Sequence, residues 1–284
     1  MSRLRVIELP ELQGQNETMN PFQINKYWIR LHKPMKFLHH VQSAKEVIKK
    51  IVPFYIKVNL HLLERVMLDI VKGYFFNYAK RKNTTNDFSN SLELKQELKP
   101  NEAKNKNLLR AIRNIEQVQI NPNEILSFWR IVGNPSKKNG FMESRSLVNG
   151  KIENTIGGGL CQLSGLMYYI SLIARLEILE RHNHSIDIYT EETRFTPLGS
   201  DATVAYGYKD LKIRNNLGSP IKFNFSIEDD TIKVMIMHSS LIGHNVVEFK
   251  ESNSDGNTTE VTTIINNKVY NNSIYKKYSL VYEA

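Results

Sequence analysis

The sequence predicts an α+β protein in which a mostly antiparallel sheet packs with a long helix carrying the only cysteine, behind a helical N-terminal segment. Three observations carry this expectation. An apolar run from Leu160 to about Leu179 opens directly after Gly157-Gly158-Gly159. Short strand-forming runs follow it, joined by connections too short for helical crossovers. Between Phe54 and Lys82, Ile56, Leu60, Leu63, Met67, Ile70, Val71 and Tyr74 recur at helical spacing.

Taken in order, residues 1–20 read as a loose leader. They lack the basic-then-apolar layout of a secretory signal, being interrupted by Glu8, Pro10 and Glu11. No run approaches the ~20 apolar residues that span a bilayer. The expected location is therefore cytoplasmic, peripheral to the inner face of the membrane. Residues 21–104 divide into a basic helical part, broken at Pro34 and Pro53, and a polar linker from 83. Thirteen lysines and arginines face three acids between Asn20 and Lys82. Such a segment either lies on an anionic membrane surface or packs as a helical hairpin with a solvated basic face.

A main domain is expected over 105–240. It begins with a short helix striped by Leu108, Ile112 and Ile115, then a turn at Asn121-Pro122-Asn123 and an apolar stretch, Ile125 to Val132. Asn149-Gly150 between two strand-like runs is a strong hairpin signal. After the cysteine helix come Ser185–Tyr189, Ala202–Tyr206, Leu211–Arg214, Ile221–Ile227 and Thr231–Met237. A β-rich extension occupies 241–284, with a hairpin across Asn266-Asn267.

The formal net charge of +9 favours anionic partners such as lipid, wall polymers or nucleic acid. Nucleic acid is not expected, because the basic residues lack the interleaved stacking aromatics of a known module. A single cysteine excludes an intramolecular disulfide.

The chemistry centres on Gly157-Gly158-Gly159-Leu160-Cys161-Gln162-Leu163-Ser164. A cysteine in the first turn of a helix feels the positive end of the helix dipole, which favours thiolate. The open amides there can hold an oxyanion. The glycines do not match a phosphate loop, which needs a following lysine, nor a dinucleotide fingerprint. A plain glycine turn bringing the helix close to the sheet, with Cys161 as a small buried apolar residue, fits the same residues.

His182 and His184 follow about twenty residues later, and alternation would turn both to one face. Either could serve as base to the thiol. Asp201, Asp210 and Asp187 could orient the imidazole. A zinc site from Cys161, His182 and His184 has too few dispersed ligands. The other histidines form no ligand pattern, and no cofactor or metal is expected.

Five ordered blocks across about 105–240 resemble the VanW family of Gram-positive envelope and vancomycin-resistance proteins. They are Ile120 to Trp129 with Val132-Gly133, then Gly157 to Ser164, Ile178 to Ser185, Pro197 to Val204, and Tyr206 to Asn215. The resemblance implies cysteine acyl-transfer chemistry of the L,D-transpeptidase kind, which makes 3-3 peptidoglycan cross-links. It places Cys161 as nucleophile and His184 as base, since the position matching His182 is not always histidine. It favours Asp210 as orienter, since some relatives have glycine where this chain has Asp201. Gly158, Gly159, Gln162, His182, Asp201 and Arg214 are expected around the substrate and oxyanion. The partner would be a peptidoglycan stem peptide or cell-wall precursor. The second reading is a non-catalytic accessory protein that binds such a precursor or a membrane-associated partner.

Overall fold

The computed structural model describes residues 53–80, 88–148, 151–187, 194–240, 242–253 and 256–277. The expected leader, and the basic stretch up to residue 52, lie outside the described residues. Helices α1 (Phe54–Val71), α2 (Glu102–Ile115), α3 (Phe128–Val132) and α4 (Leu160–Ile173) alternate with thirteen short strands among those residues. In chain order the strands are β1 (Asn90–Glu97), β2 (Gln119–Ile120), β3 (Ile125–Ser127), β4 (Glu143–Val148), β5 (Lys151–Ile156), β6 (Glu177–Glu180) and β7 (Ile186–Asp187). They continue with β8 (Lys212–Arg214), β9 (Ile221–Glu228), β10 (Thr231–His238), β11 (Val247–Asn253), β12 (Thr258–Ile265) and β13 (Lys268–Lys277). The fold is α+β, and every pairing but one is antiparallel.

The main core forms where α2 and α4 cover the sheet β1-β10-β9-β2. Strand β10 alternates strictly, burying Ile232, Val234 and Ile236. Those side chains share one cluster with Leu108, Ile112 and Ile115 of α2 and Leu163, Leu166 and Ile170 of α4. Helix α4 is apolar on nearly every face, as a central helix must be. A second sheet, β11-β12-β13-β7, holds a small core of Leu198, Val261 and Tyr275. Its β12–β13 turn has Asn266 and Asn267 at φ +50° and +64°, the left-handed pair that an Asn-Asn hairpin supplies. A third sheet is β3-β8-β6, and β4-β5 pair alone, Val148 opposite Lys151, the expected Asn149-Gly150 turn lying outside the described residues.

Three expectations are corrected. The cysteine helix is shorter than predicted, ending at Ile173. Arg175 takes φ +62°, and Glu177–Glu180 leave as β6 to pair with β8. The apolar run therefore spans a helix, a turn and a strand, which periodicity cannot separate in so apolar a stretch. The polar linker contains β1, an edge strand whose Leu92 and Leu94 turn inward beside Val234 and Ile236. Its charges lie on the solvent side, as edge strands require. The expected strand Ala202–Tyr206 is instead a loop with a single bridge, Ala205 to Lys209. It spends its carbonyls on α4, as described below.

Helix α1 joins this body through charge rather than through its apolar stripe. It buries Val58 and Asp69. Lys212 Nζ meets Asp69 at 2.5 Å and Glu180 at 3.2 Å, Arg65 grips Glu180 at 2.7 Å, and Tyr78 donates to Asp69 at 2.7 Å. Paired buried charges of this kind depend on every member being satisfied.

Candidate active site

The Gly157-Gly158-Gly159 turn is explained residue by residue. Gly157 and Gly159 lie at φ +82° and +93°, a region that side-chain-bearing residues avoid. Gly158 has an ordinary φ, but a Cβ there would stand 2.2 Å from the Ser144 carbonyl oxygen on β4. Asn107, fully buried on α2, donates to the carbonyls of Gly158 and Met142, both at 3.0 Å. The turn is thus clamped between α2 and β4, and it delivers Cys161 into the first turn of α4.

From Cys161 one face of the helix carries small residues at i, i+3 and i+4, Cys161, Ser164 and Gly165. Cys161 Sγ lies 3.7 Å from the Val204 carbonyl, and Ser164 Oγ donates to the Ala202 carbonyl at 2.5 Å. Gly165 faces the backbone of Asp201, and an added Cβ would sit in ordinary contact, 3.5 Å from its Cα. Tyr168 ends that face, beneath the Arg181 guanidinium at 5.0 Å. Small side chains here bring the loop 200–204 against the helix, and Asp201 comes with it.

Asp201 receives His184. Oδ2 accepts from His184 Nδ1 at 2.6 Å and from the His184 backbone amide at 2.7 Å. Oδ1 accepts from Arg181 at 2.9 Å and from the Tyr275 hydroxyl at 2.5 Å. The Cys161 thiol and the His184 imidazole interact electrostatically, each shifting the titration of the other. The result is a row of thiol, imidazole and carboxylate.

The electrostatics of the row are cooperative. Burial raises the Cys161 pKa, but the hydrogen bond and charge of His184 outweigh it and bring the thiol below its ordinary value. Burial also works against the imidazolium. The hydrogen bonds to Asp201 and Cys161 prevail and hold His184 up at about 10. Asp201 is pulled down to about 2 despite its burial, first by His184 and then by Arg181. At neutral pH His184 and Asp201 therefore stand as imidazolium and carboxylate, and the Cys161 thiol beside them is biased toward thiolate.

The structure brings together Cys161, His184 and Asp201 from the residues singled out in the sequence. Asp210 is not the orienter. It is buried beneath α3, accepting from Ser127 Oγ at 2.5 Å and from the amides of Trp129 and Leu211 at 3.1 and 2.9 Å. Burial and the charge of Glu180 push it up to about 6. Its work is to cap α3 and hold the 127–129 corner.

The other expected substrate residues have structural partners. His182 meets Glu180 at 3.0 Å, so the two histidines do not share a target. Gln162 donates to Gln96 and to the Glu97 carbonyl, both at 2.8 Å, tying α4 to β1. Arg214 pairs with Glu177 at 2.9 Å and stacks over Tyr74. The Gly158 amide is spent on the Thr155 carbonyl at 3.1 Å. Among the described residues the amides of Gly159 and Cys161 have no backbone acceptor, whereas Leu160 and Gln162 turn back onto Gly157 and Gly159. Those two amides are left open at the start of α4. Arg181 and Tyr275 went unnoticed in the sequence. Arg181 stands beside His182 in a recognisable block, but Tyr275 carries no local signal.

A thiol, an imidazole on its far side and a carboxylate behind that define the arrangement used for nucleophilic thiol chemistry. Comparison with known proteins finds a match in the same stretch: residues 103–237 match the family described as VanW like protein. It is 32% identical over 126 residues to the vancomycin B-type resistance protein VanW of Enterococcus faecalis (strain ATCC 700802 / V583), covering 44% of this chain and 46% of that protein. It is 30% identical over 121 residues to the uncharacterized protein YoaR of Bacillus subtilis (strain 168), covering 43% of this chain and 38% of that one. The matched region thus spans less than half the length of either relative. No solved structure gives a significant match. No helix among the described residues is long and apolar enough to cross a membrane.

Proposed function

We propose that the protein is a cysteine acyl transferase acting on cell-wall peptides, with L,D-transpeptidase-like chemistry. The observation that carries this is the row Cys161–His184–Asp201 at the start of α4. The Cys161 thiolate attacks a peptide carbonyl and forms a C–S bond, while the carbonyl oxygen is met by the first-turn amides. As the C–N bond breaks, His184 gives its proton to the departing amine. An incoming amine then attacks the thioester, His184 takes up its proton, and the C–S bond breaks to release the new amide. Water in place of the amine gives hydrolysis. Asp201 holds the ring and its charge throughout. The wall-peptide substrate is supported by the resistance protein among the relatives.

The test is to incubate the full chain with peptidoglycan stem peptides and search by mass spectrometry for an acyl adduct. An adduct on Cys161, absent in Cys161→Ser, is the expected result. A peptide that binds equally well to both forms without any adduct would favour the accessory-binding reading.

We further propose that α1 attaches the protein to an anionic bilayer surface. Leu60, Leu63 and Met67 are 58%, 60% and 58% exposed, on the same stripe as Ile56 and Ile70. Lys57 lies on the same helix and Lys72 directly follows its end, within a segment rich in basic residues. Co-sedimentation with phosphatidylglycerol vesicles is expected to exceed that with phosphatidylcholine. Leu63→Asp with Met67→Asp should weaken it by about tenfold or more, since each buried apolar side chain contributes on the order of 1.5–3 kcal/mol. Equal sedimentation of wild type and variant would refute the attachment.

A further inference from the structure

The row is not completed by the matched region, residues 103–237, alone. Strand β13 lies beyond residue 237, where the family match ends. It nevertheless reaches the site in two ways. Through its backbone, the Lys276 amide donates to the Ser185 carbonyl at 2.9 Å, and the Ile274 carbonyl accepts from Asn183 at 3.0 Å. It then pairs in parallel with β7, Lys276 opposite Ile186. Those contacts hold the stretch on either side of His184.

Through its side chains, β13 turns Ser273 and Tyr275 to one face, both buried. Ser273 Oγ accepts from Arg181 at 2.6 Å. The Tyr275 hydroxyl accepts from Arg181 at 3.1 Å and donates to Asp201 Oδ1 at 2.5 Å. Burial and the neighbouring Asp201 charge keep Tyr275 a phenol, so it remains a donor. The hydroxyl thus touches the one carboxylate oxygen that does not face the imidazole.

We infer that the C-terminal sheet is a working part of this site, and that Tyr275 is a positioning residue that sets the charge Asp201 presents to His184 and Cys161. The inference rests on the thiolate–imidazolium reading of the row. A hydroxyl aimed at Oδ1 draws carboxylate charge away from the row and fixes the carboxylate plane, leaving Oδ2 for the ring. Removing that positive dipole leaves more negative charge near both the thiol and the imidazole, so protons should bind more tightly to each. The ring itself packs with Leu198 and Val261, and phenylalanine preserves that packing.

The experiment is the pH dependence of Cys161 alkylation by iodoacetamide in the full chain. Tyr275→Phe should raise the midpoint by about half a pH unit, roughly threefold less thiolate on the acid side. Replacing Tyr275 with 3-fluorotyrosine, which keeps the packing and strengthens the donor, should move the midpoint the other way. Ser273→Ala, which loses a buried bond to Arg181 but none to Asp201, should stay near wild type. A depressed wild-type midpoint that neither Tyr275 substitution moves would overturn the role of Tyr275 and leave the thiolate reading standing. An ordinary wild-type midpoint would overturn both.

Discussion

Alanine in place of His184 is expected to move the alkylation midpoint of Cys161 from below the ordinary thiol value to above it. In the wild type two opposed effects act on the sulfur, burial raising its pKa and His184 lowering it, and His184 prevails. Without the imidazole, burial and the negative charge of Asp201 act in the same direction. A thiol at or above its ordinary pKa of ~8.5 is only a few per cent ionised at pH 7, so alkylation there should fall several-fold relative to wild type. The sign extends to high pH in the wild type. His184 keeps its proton up to about 10, so the ion pair persists through neutrality and dissolves as pH rises through that value. The stability it lends follows the same course, being complete below the unfolded pKa of ~6.5 and lost toward 10. Asp210→Asn is the informative contrast. Asp210 contacts Ser127 and Trp129 rather than the row, so this variant should lose thermal stability and keep the wild-type midpoint. A midpoint that follows Asp210 and ignores His184 would refute the assignment of the row.

The choice between Asp201 and Asp210 shows where the sequence stops being legible. Both aspartates follow turns, at Gly199-Ser200 and Tyr208-Lys209, and nothing local separates them. The separation comes from α4. Its small residues Ser164 and Gly165 draw the 200–204 loop onto the helix carrying Cys161, while Asp210 is turned toward the α3 corner. The Ser164 and Gly165 spacing from Cys161 was readable as a small-residue face, but its partner loop was not. The α2 stripe, the β9–β10 pair and the Asn266-Asn267 hairpin follow from periodicity and turn chemistry, whereas of the cysteine helix only the glycine-marked start was legible, not its end at Ile173. Strand β1 was hidden because its alternating leucines are diluted by charges on the exposed face of an edge strand. Tyr275 lies 74 residues from Asp201, and pairing at that separation leaves no trace in either local pattern.

Gly158→Ala is expected to cost at least about 3 kcal/mol, toward the upper end of what overpacking a rigid site costs. The added methyl would lie 2.2 Å from the Ser144 oxygen and 2.4 Å from its carbonyl carbon. Both are backbone atoms of a paired strand, so no rotamer change relieves the contact. Either β4 or the start of α4 must shift, and the two Asn107 bonds that clamp Gly158 to Met142 must stretch with it. For a body of this size each kcal/mol lowers Tm by roughly 2–4 °C, so a fall of about 10 °C is anticipated in calorimetry. Gly165→Ala tests the same idea with the opposite outcome. Its nearest neighbour would be 3.5 Å away, an ordinary contact, and alanine is favoured over glycine within a helix by about 1 kcal/mol. Tm should hold or rise. The pair separates two uses of glycine in one motif, close approach at Gly158 and a thin helix face at Gly165. If Gly158→Ala melted with the wild type, the 157–159 turn would not be the rigid seat that holds Cys161 against His184.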